Sequence, residues 1–216
     1  MDAMSASVVS VNVGRVVDTP GSLLGRTGID NRAMSARVRA HTTGLAGDEV
    51  ADTKHHGGID QAVYAYQRED LDRWAEELGR ELHDGNFGEN LTTRGVDLAA
   101  AVIGERWRIG SAEFEVSSPR TPCGTFKNHL DNLRGWVKTF TADGRPGAYL
   151  RVLVEGEVGA GDEIVVLHRP DHGVTIAEVF RAIMTEKTLM PGLLDVPELP
   201  AKVHDWAREY VGAQPA

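Results

Sequence analysis

The stretch SSPRTPCGTF, residues Ser117–Phe126, holds the one cysteine of the chain. A lone free cysteine usually packs as a small hydrophobe. The neighbours of Cys123 favour a reactive or metal-ligating thiol instead. Pro119 and Pro122 suit an irregular loop rather than the centre of a strand, and Gly124 lets a ligand or another backbone come close. Arg120 favours the thiolate if it also lies near Cys123 in space, and so does a helix that starts just after the cysteine. Two thiolate chemistries follow. A cysteine hydrolase needs a histidine base, and the eight histidines leave that open. A soft metal centre also suits a thiolate. A structural zinc site needs about four ligands, and no spacing of His or carboxylate residues offers the others.

Two further stretches carry polar groups at glycine turns. In TKHHGGIDQAVYAY, the adjacent His55 and His56 cannot face the same way in a strand, but at a turn before Gly57 and Gly58 one of them can point into a pocket. In DGNFGENLTTRGVD, Asn90, Thr92 and Thr93 stand beside Arg94 after Gly85 and Gly88. Alone, each stretch also reads as a polar loop.

These residues need a scaffold. The chain has 216 residues, 41% hydrophobic and 25% charged, enough to bury a core without disulfides or metal staples. The net charge of −9 makes a general nucleic-acid binder a poor reading, because binding that polyanion needs Lys and Arg. One cysteine forms no internal disulfide, the start of the chain lacks the pattern of a secretory leader, and no apolar run reaches the ~18 residues of a membrane span. The expectation is a cytoplasmic protein with no membrane partner. A single cysteine also cannot supply the four thiolates of a common iron–sulfur cluster, so any redox work draws electrons from another protein. G-x-S-x-G, P-loop, G-x-G-x-x-G and H-E-x-x-H motifs are absent, which sets aside the hydrolases, nucleotide enzymes and zinc proteases that carry them.

The first three quarters read as strands punctuated by glycine. SVVSVNVGRVV alternates Val9, Val11 and Val13 on one face. RWRIGSAEFEVS reads as a hairpin turning at Gly110 and Ser111, and AYLRVLVEGEVGAGDEIVVL as strands around a Gly-rich turn. Many short strands suggest a barrel or sandwich. Helices are expected over REDLDRWAEELGREL, with Leu71, Trp74, Leu78 and Leu82 on one face, and over FKNHLDNLRGWVKTF. After HRPDHG the period turns helical. Thr175 and Glu178 form a capping box before Ile176, Val179, Phe180 and Ile183; Leu199, Val203, Trp206 and Tyr210 mark a second helix, with a short one between, near Leu189–Leu194. A boundary near Arg169 separates residues 1–169 from a small helical appendage, 170–216.

Taken together, TGLAGDEVADTKHHGGIDQAVYAY, NFGENLTTRG and IGERWRIGSAEFEVSSPRTPC occur in the order seen in MOSC domains, the family named for the C-terminal domain of molybdenum-cofactor sulfurase. The chain most resembles the YiiM-type branch, which adds a three-helix domain and is linked to resistance against hydroxylaminopurine and similar N-hydroxylated bases. The resemblance implies a mainly β, MOSC-type β-barrel with peripheral helices plus an all-α three-helix C-terminal appendage, and it implies a molybdenum cofactor of molybdopterin type. Cys123 maps onto the metal-binding cysteine, and the cofactor's own dithiolene supplies the other sulfur ligands. Arg26 and Thr27, Lys54, His55, Asn90, Thr92 and Arg120 are the candidate contacts to the phosphate-bearing organic part, and His56 the candidate that positions or protonates substrate. Ala33 stands where proline is expected, and Gln61 where lysine is frequent.

The implied activity is reduction of N-hydroxylated compounds by two electrons with release of water, the electrons coming from a separate flavin or iron–sulfur reductase. The rival readings are a persulfide sulfur carrier and a cofactor-delivery module without turnover. The helical tail has four readings: packing on the barrel, capping the pocket, docking the electron donor, or pairing two copies into a homodimer.

Overall fold

The structure, a computed structural model, describes residues 5–19 and 25–213. The first four residues of the chain start and the last three of the expected appendage lie outside the described residues. Among the described residues the strands are β1 (Ser7–Val13), β2 (Val17–Asp18), β3 (Arg26–Thr27), β4 (Arg32–Ala33), β5 (Val38–His41), β6 (Gly44–Leu45), β7 (Val63–Gln67), β8 (Leu91–Arg94), β9 (Arg106–Ile109), β10 (Ala112–Pro119), β11 (Ala148–Val154), β12 (Gly156–Val158) and β13 (Ile164–His168). The α-helices are α1 (Arg68–Leu78), α2 (Gly124–His129), α3 (Trp136–Asp143), α4 (Ile176–Met184) and α5 (Ala201–Gly212).

Eight strands form one sheet in the order β13-β9-β10-β11-β7-β8-β1-β4. All its pairs are antiparallel except β7 with β8, which run parallel and are joined through α1. The expected closed barrel is not formed. β1 meets the start of β13 through the isolated bridge Ser7–Glu163 and bonds such as Val8 N–H to Asp162 O at 2.9 Å. The ladder goes no further, because the far end of β1, Asn12–Val13, pairs with β4 instead. The fold is therefore a sheet-dominated α/β arrangement.

The simple alternation expected for β1 is also corrected. Its register with β8 shifts between Val8 and Ser10. This bulge sends Val8, Val11 and Val13 into the core and leaves Val9 half-buried, since one extra residue reverses the facing of everything before it. The hairpin at Gly110 is as expected: β9 and β10 pair from Ala112–Ile109, and Gly110 takes a φ of 59°.

The helix expected over 126–140 is two helices. Asp131 and Asn132 between them take φ values of 55° and 56°, a left-handed conformation that Asp and Asn tolerate better than most side chains. α1 ends at Gly79, φ 63°, yet Leu82 beyond it still joins the cluster of Leu71 and Trp74.

The tail is helical from Ile176. Thr175 Oγ1 accepts the Glu178 N–H at 3.2 Å, the N-cap read from the sequence. The middle segment, Lys187–Asp195, is 3-10 rather than α-helical and contains Pro191, which has no N–H to give an α-helical ladder. Ile176, Val179, Met190, Leu193, Val203 and Ala207 of the tail share one hydrophobic cluster with the sheet residues Val11, Ile109 and Leu150.

A second cluster is aromatic. It gathers Tyr64 and Tyr66 from β7, Trp74, Phe87, Phe126 from α2, and Trp136 and Phe140 from α3. Gly147, at φ +70°, lets the chain pass over it: a Cβ there meets Ala65 O at 2.5 Å and ring atoms of Tyr64 and Tyr66 at 2.8 Å. Gly147→Ala combines a left-handed backbone with overpacking, so it should cost about 2–4 kcal/mol. In a chain of this size thermal unfolding should then fall by roughly 5–15 °C; an unchanged midpoint would show that the two tyrosines yield freely.

Candidate functional site

β10 ends at Pro119, and the chain then turns through Arg120–Pro122 into α2. Cys123 caps that helix, with φ −124° and ψ 174°, so it sits at the helix start as expected. Arg120 is buried, 6% exposed. Its guanidinium carbon lies 4.9 Å from the Tyr64 ring centre and 4.2 Å from that of Phe126, and Nη1 donates to Phe87 O. The flat cation fits between two rings as a compact ammonium would not. No ion pair among the described residues supplies Arg120 with a carboxylate; its charge acts on Tyr64, Tyr149 and Cys123.

A buried cation without a carboxylate favours an anion beside it, and Cys123 supplies one. Burial pushes its thiol up. A hydrogen bond from His56, the charge of Arg120 and the Phe126 N–H push it down further, to about 6. The lowered value favours the thiolate at neutral pH, the form that ligates metals and attacks electrophiles.

Cys123, His56, Gln61, Arg120, Tyr64 and Tyr149 line a cavity of about 300 Å³, at the small end of the range for ligand sites. Arg26, Thr27, Asp48 and Asn90 line it as well. The structure thus brings together Arg26, Thr27, His56, Asn90, Arg120 and Cys123 of the residues singled out in the sequence. Gln61 Oε1 is buried without a hydrogen-bond partner, an acceptor left for a ligand.

Three of the singled-out residues do not line this cavity. Lys54 and His55 line a second one on the other side of the His56–Gly57 turn. Asp52 O takes the backbone N–H groups of both histidines, while His55 Nδ1 turns to Asp52 Oδ2 at 2.9 Å and His56 lines the cavity with Cys123. Thr92 is fully buried; its Oγ1 accepts from Asn12 Nδ2 at 3.0 Å and donates to Glu89 Oε1 at 2.9 Å. Asn90 lines the cavity but its amide serves the scaffold. Oδ1 accepts the Tyr64 N–H at 3.0 Å and Nδ2 donates to Asp48 Oδ2 at 2.9 Å.

Asp48 is one cavity residue that the sequence did not single out. Burial raises its pKa, against the Gly14 N–H and the Asn90 amide. In GLAGDEV it reads as a turn aspartate, because its partners are 34 and 42 residues away in sequence. Tyr64 and Tyr149, also missed, read as strand aromatics.

A lone cysteine and a buried cation share the wall of one cavity in a sheet-dominated fold. The MOSC domain family matches residues 52–165, and the chain belongs to that family. Protein YiiM of Escherichia coli strain K12 is 31% identical over 176 residues, 79% of this chain and 75% of that protein. The uncharacterized protein YflK of Bacillus subtilis strain 168 is 34% identical over 172 residues, 79% and 77% of the two chains. A Gibberella moniliformis protein named reductase is 31% identical over 199 residues, 89% of this chain but 35% of that longer protein. The crystal structure of YiiM from Geobacillus stearothermophilus matches with a TM-score of 0.80 at 27% identity, over 95% of this chain and 99% of that one. The YiiM-type resemblance read from the sequence is borne out. No helix among the described residues is long and apolar enough to cross a membrane.

Proposed function

We propose that this protein is an oxidoreductase that holds a molybdenum cofactor of molybdopterin type on Cys123 and reduces N-hydroxylated compounds. The observation that carries the reading is the Cys123 thiol on a cavity wall beside the buried Arg120, which has no carboxylate partner among the described residues. The donor set fits the group. Among the described residues no three His, Cys, Asp or Glu side chains are arranged to hold a metal by themselves, so a metal at this single thiolate needs the ligands that a dithiolene cofactor brings. Arg26, Arg120 and the Thr27 hydroxyl would face the anionic part of the group, and the unpartnered Gln61 Oε1 would accept one of its N–H groups. When bound, the group supplies the two-electron chemistry that one cysteine cannot.

The chain's own residues then divide the work. His56 and Arg120 together favour the ionised form of Cys123. His56, on the cavity wall with Cys123, would present a ring N–H to the hydroxyl of a substrate that must leave as water. The aromatic cluster of Tyr64, Phe126 and Tyr149 limits water on one side of the cavity. The fungal relative named reductase supports the class of reaction. With one cysteine, the protein depends on a separate flavin or iron–sulfur donor for electrons.

A sulfur-carrier reading shares the same thiolate, which could hold a persulfide. The deciding experiment is metal content. Wild type and Cys123→Ala are produced in a host that makes the cofactor, and molybdenum and released pterin are measured in each. The expected result is about one molybdenum per wild-type chain and a loss of at least tenfold in the variant. A wild type free of molybdenum and pterin, with labile sulfur on Cys123 by mass spectrometry, would put sulfur transfer in its place.

A further inference from the structure

Free positive charge gathers on the α2–α3 hairpin, beside the Cys123 cavity. Residues 120–140 hold four cations, Arg120, Lys127, Arg134 and Lys138, against one acid, Asp131, in a chain of net charge −9. The rest of the chain is therefore more acidic still. Phe126, Leu130, Trp136 and Phe140 are buried and pin the hairpin to the aromatic cluster. With that side inward, Lys127 is half-buried and Arg134 and Lys138 are exposed.

In an acidic chain such cations would ordinarily find carboxylates. Here the nearby ones are engaged elsewhere. Asp131 is held by Arg80 at 2.8 Å, and Asp143, at the end of α3, by Arg73 at 2.9 Å. Among the described residues no ion pair engages Lys127, Arg134 or Lys138. Three such charges on one hairpin set up a local field opposite in sign to that of the whole chain. Leu133, 38% exposed, lies between Lys127 and Arg134 in the chain and offers a partner an apolar contact.

The hairpin also starts at the sulfur. The Lys127 N–H bonds Cys123 O at 3.2 Å, so the two residues are one helical turn apart, about 6 Å along the axis. Thr125, between them, lines the Cys123 cavity. We infer that the α2–α3 hairpin is the docking face for the electron donor, and that this donor presents an acidic surface. The inference rests on the reading of Cys123 as the redox site. The donor is oxidised by two electrons per turnover; with two protons these convert N–OH to N–H and water. The helical tail is the poorer place for such a donor, because residues 170–216 hold seven acids and four Lys or Arg and would repel it.

Binding of an acidic flavodoxin to the full chain, followed by calorimetry, tests this. Binding should be saturable and should weaken at least about tenfold between about 20 and 200 mM salt. Lys127→Glu, Arg134→Glu and Lys138→Glu should each weaken it about threefold or more, and Lys138→Arg should bind like wild type. Arg108→Glu, which reverses an exposed cation on β9, should stay within about twofold of wild type. In cofactor-loaded protein the three hairpin reversals should raise the flavodoxin concentration at half-maximal rate and leave the rate at saturation unchanged. No saturable binding, binding indifferent to salt, or hairpin reversals no weaker than Arg108→Glu would each overturn the inference. So would an oligonucleotide that binds as tightly as flavodoxin, or a dimer of the chain that Lys138→Glu breaks up, since the face would then belong to nucleic acid or to a second copy. Flavodoxin binding should persist in Cys123→Ala. Protein that holds molybdenum but ignores flavodoxin overturns the docking face alone; flavodoxin binding without molybdenum overturns the reading of Cys123 alone.

Discussion

Arg120→Met should slow alkylation of Cys123 by iodoacetamide about tenfold at pH 6.5 and leave the rate at pH 10 within about threefold of wild type. The thiol ionises at about 6 because burial, which raises it, is outweighed by the His56 hydrogen bond, the Arg120 charge and the Phe126 N–H. Removing the charge leaves burial opposed only by hydrogen bonds, so ionisation moves up, and each pH unit moved is a tenfold loss of thiolate on the acid side. At pH 10 both proteins are thiolate and the intrinsic rate is compared. Methionine fills most of the volume between Tyr64 and Phe126, so the effect is one of charge rather than of a hole. Arg120→Lys should fall between the two, because an ammonium keeps the charge but cannot lie flat between the rings and reach Phe87 O. Identical pH–rate profiles for wild type and Arg120→Met would transfer the whole effect to His56, and His56→Ala would then carry it.

Glu89 should make the fold less stable as pH rises from about 4.5 to 7. It is fully buried, and burial raises its carboxyl to about 7 despite N–H groups of Gly85 and Phe87 and the Thr92 hydroxyl. The folded state therefore holds a proton that the unfolded state releases near 4.5. Its contribution is complete below that value and is lost as pH climbs through the folded value near 7. The gap corresponds to on the order of 3 kcal/mol, or roughly 6–12 °C in a chain of this length. Cys123 acts in the opposite direction: its depressed ionisation adds stability between about 6 and the ordinary thiol value of 9.0. The measurement therefore uses a Cys123→Ala background, comparing unfolding at pH 4.5 and 7 with and without Glu89→Gln. The glutamine variant should lose the part of the slope that Glu89 contributes, leaving that of other raised carboxyls such as Asp48. It should also be less stable at every pH, because Glu89 accepts from Gly85 N at 2.6 Å, Phe87 N at 3.0 Å and Thr92 Oγ1 at 2.9 Å, and an amide NH₂ must face one of these donors. A slope that survives the substitution unchanged would assign the pH dependence to another group.

What the sequence by itself determined is local. Cys123 at a helix start, the hairpin at Gly110, the cap at Thr175 and the helical period of the tail each depend on residues within about one turn or one hairpin, and prolines, glycines and side-chain period carry that information. The co-occurrence of the three polar stretches was enough to point to the MOSC family. The sequence could not show which polar residues share a wall. His55 and His56 are adjacent, yet one faces Asp52 and the other lines the cavity with Cys123, because the turn at Gly57 and Gly58 splits them. Asn90, just before β8, and Thr92, within it, sit two apart in sequence; Thr92 is absorbed by Glu89 and Asn90 reaches the cavity. Asp48 becomes a cavity residue through Gly14 and Asn90, and Arg120 becomes a buried cation through rings at Tyr64 and Phe126. The open sheet was equally hidden, since one bulge in β1 and its pairing with β4 redirect the strand that would have closed it. These outcomes rest on contacts between residues tens of positions apart, where packing and the pairing of buried polar groups override local preference. Only the tertiary structure decided them.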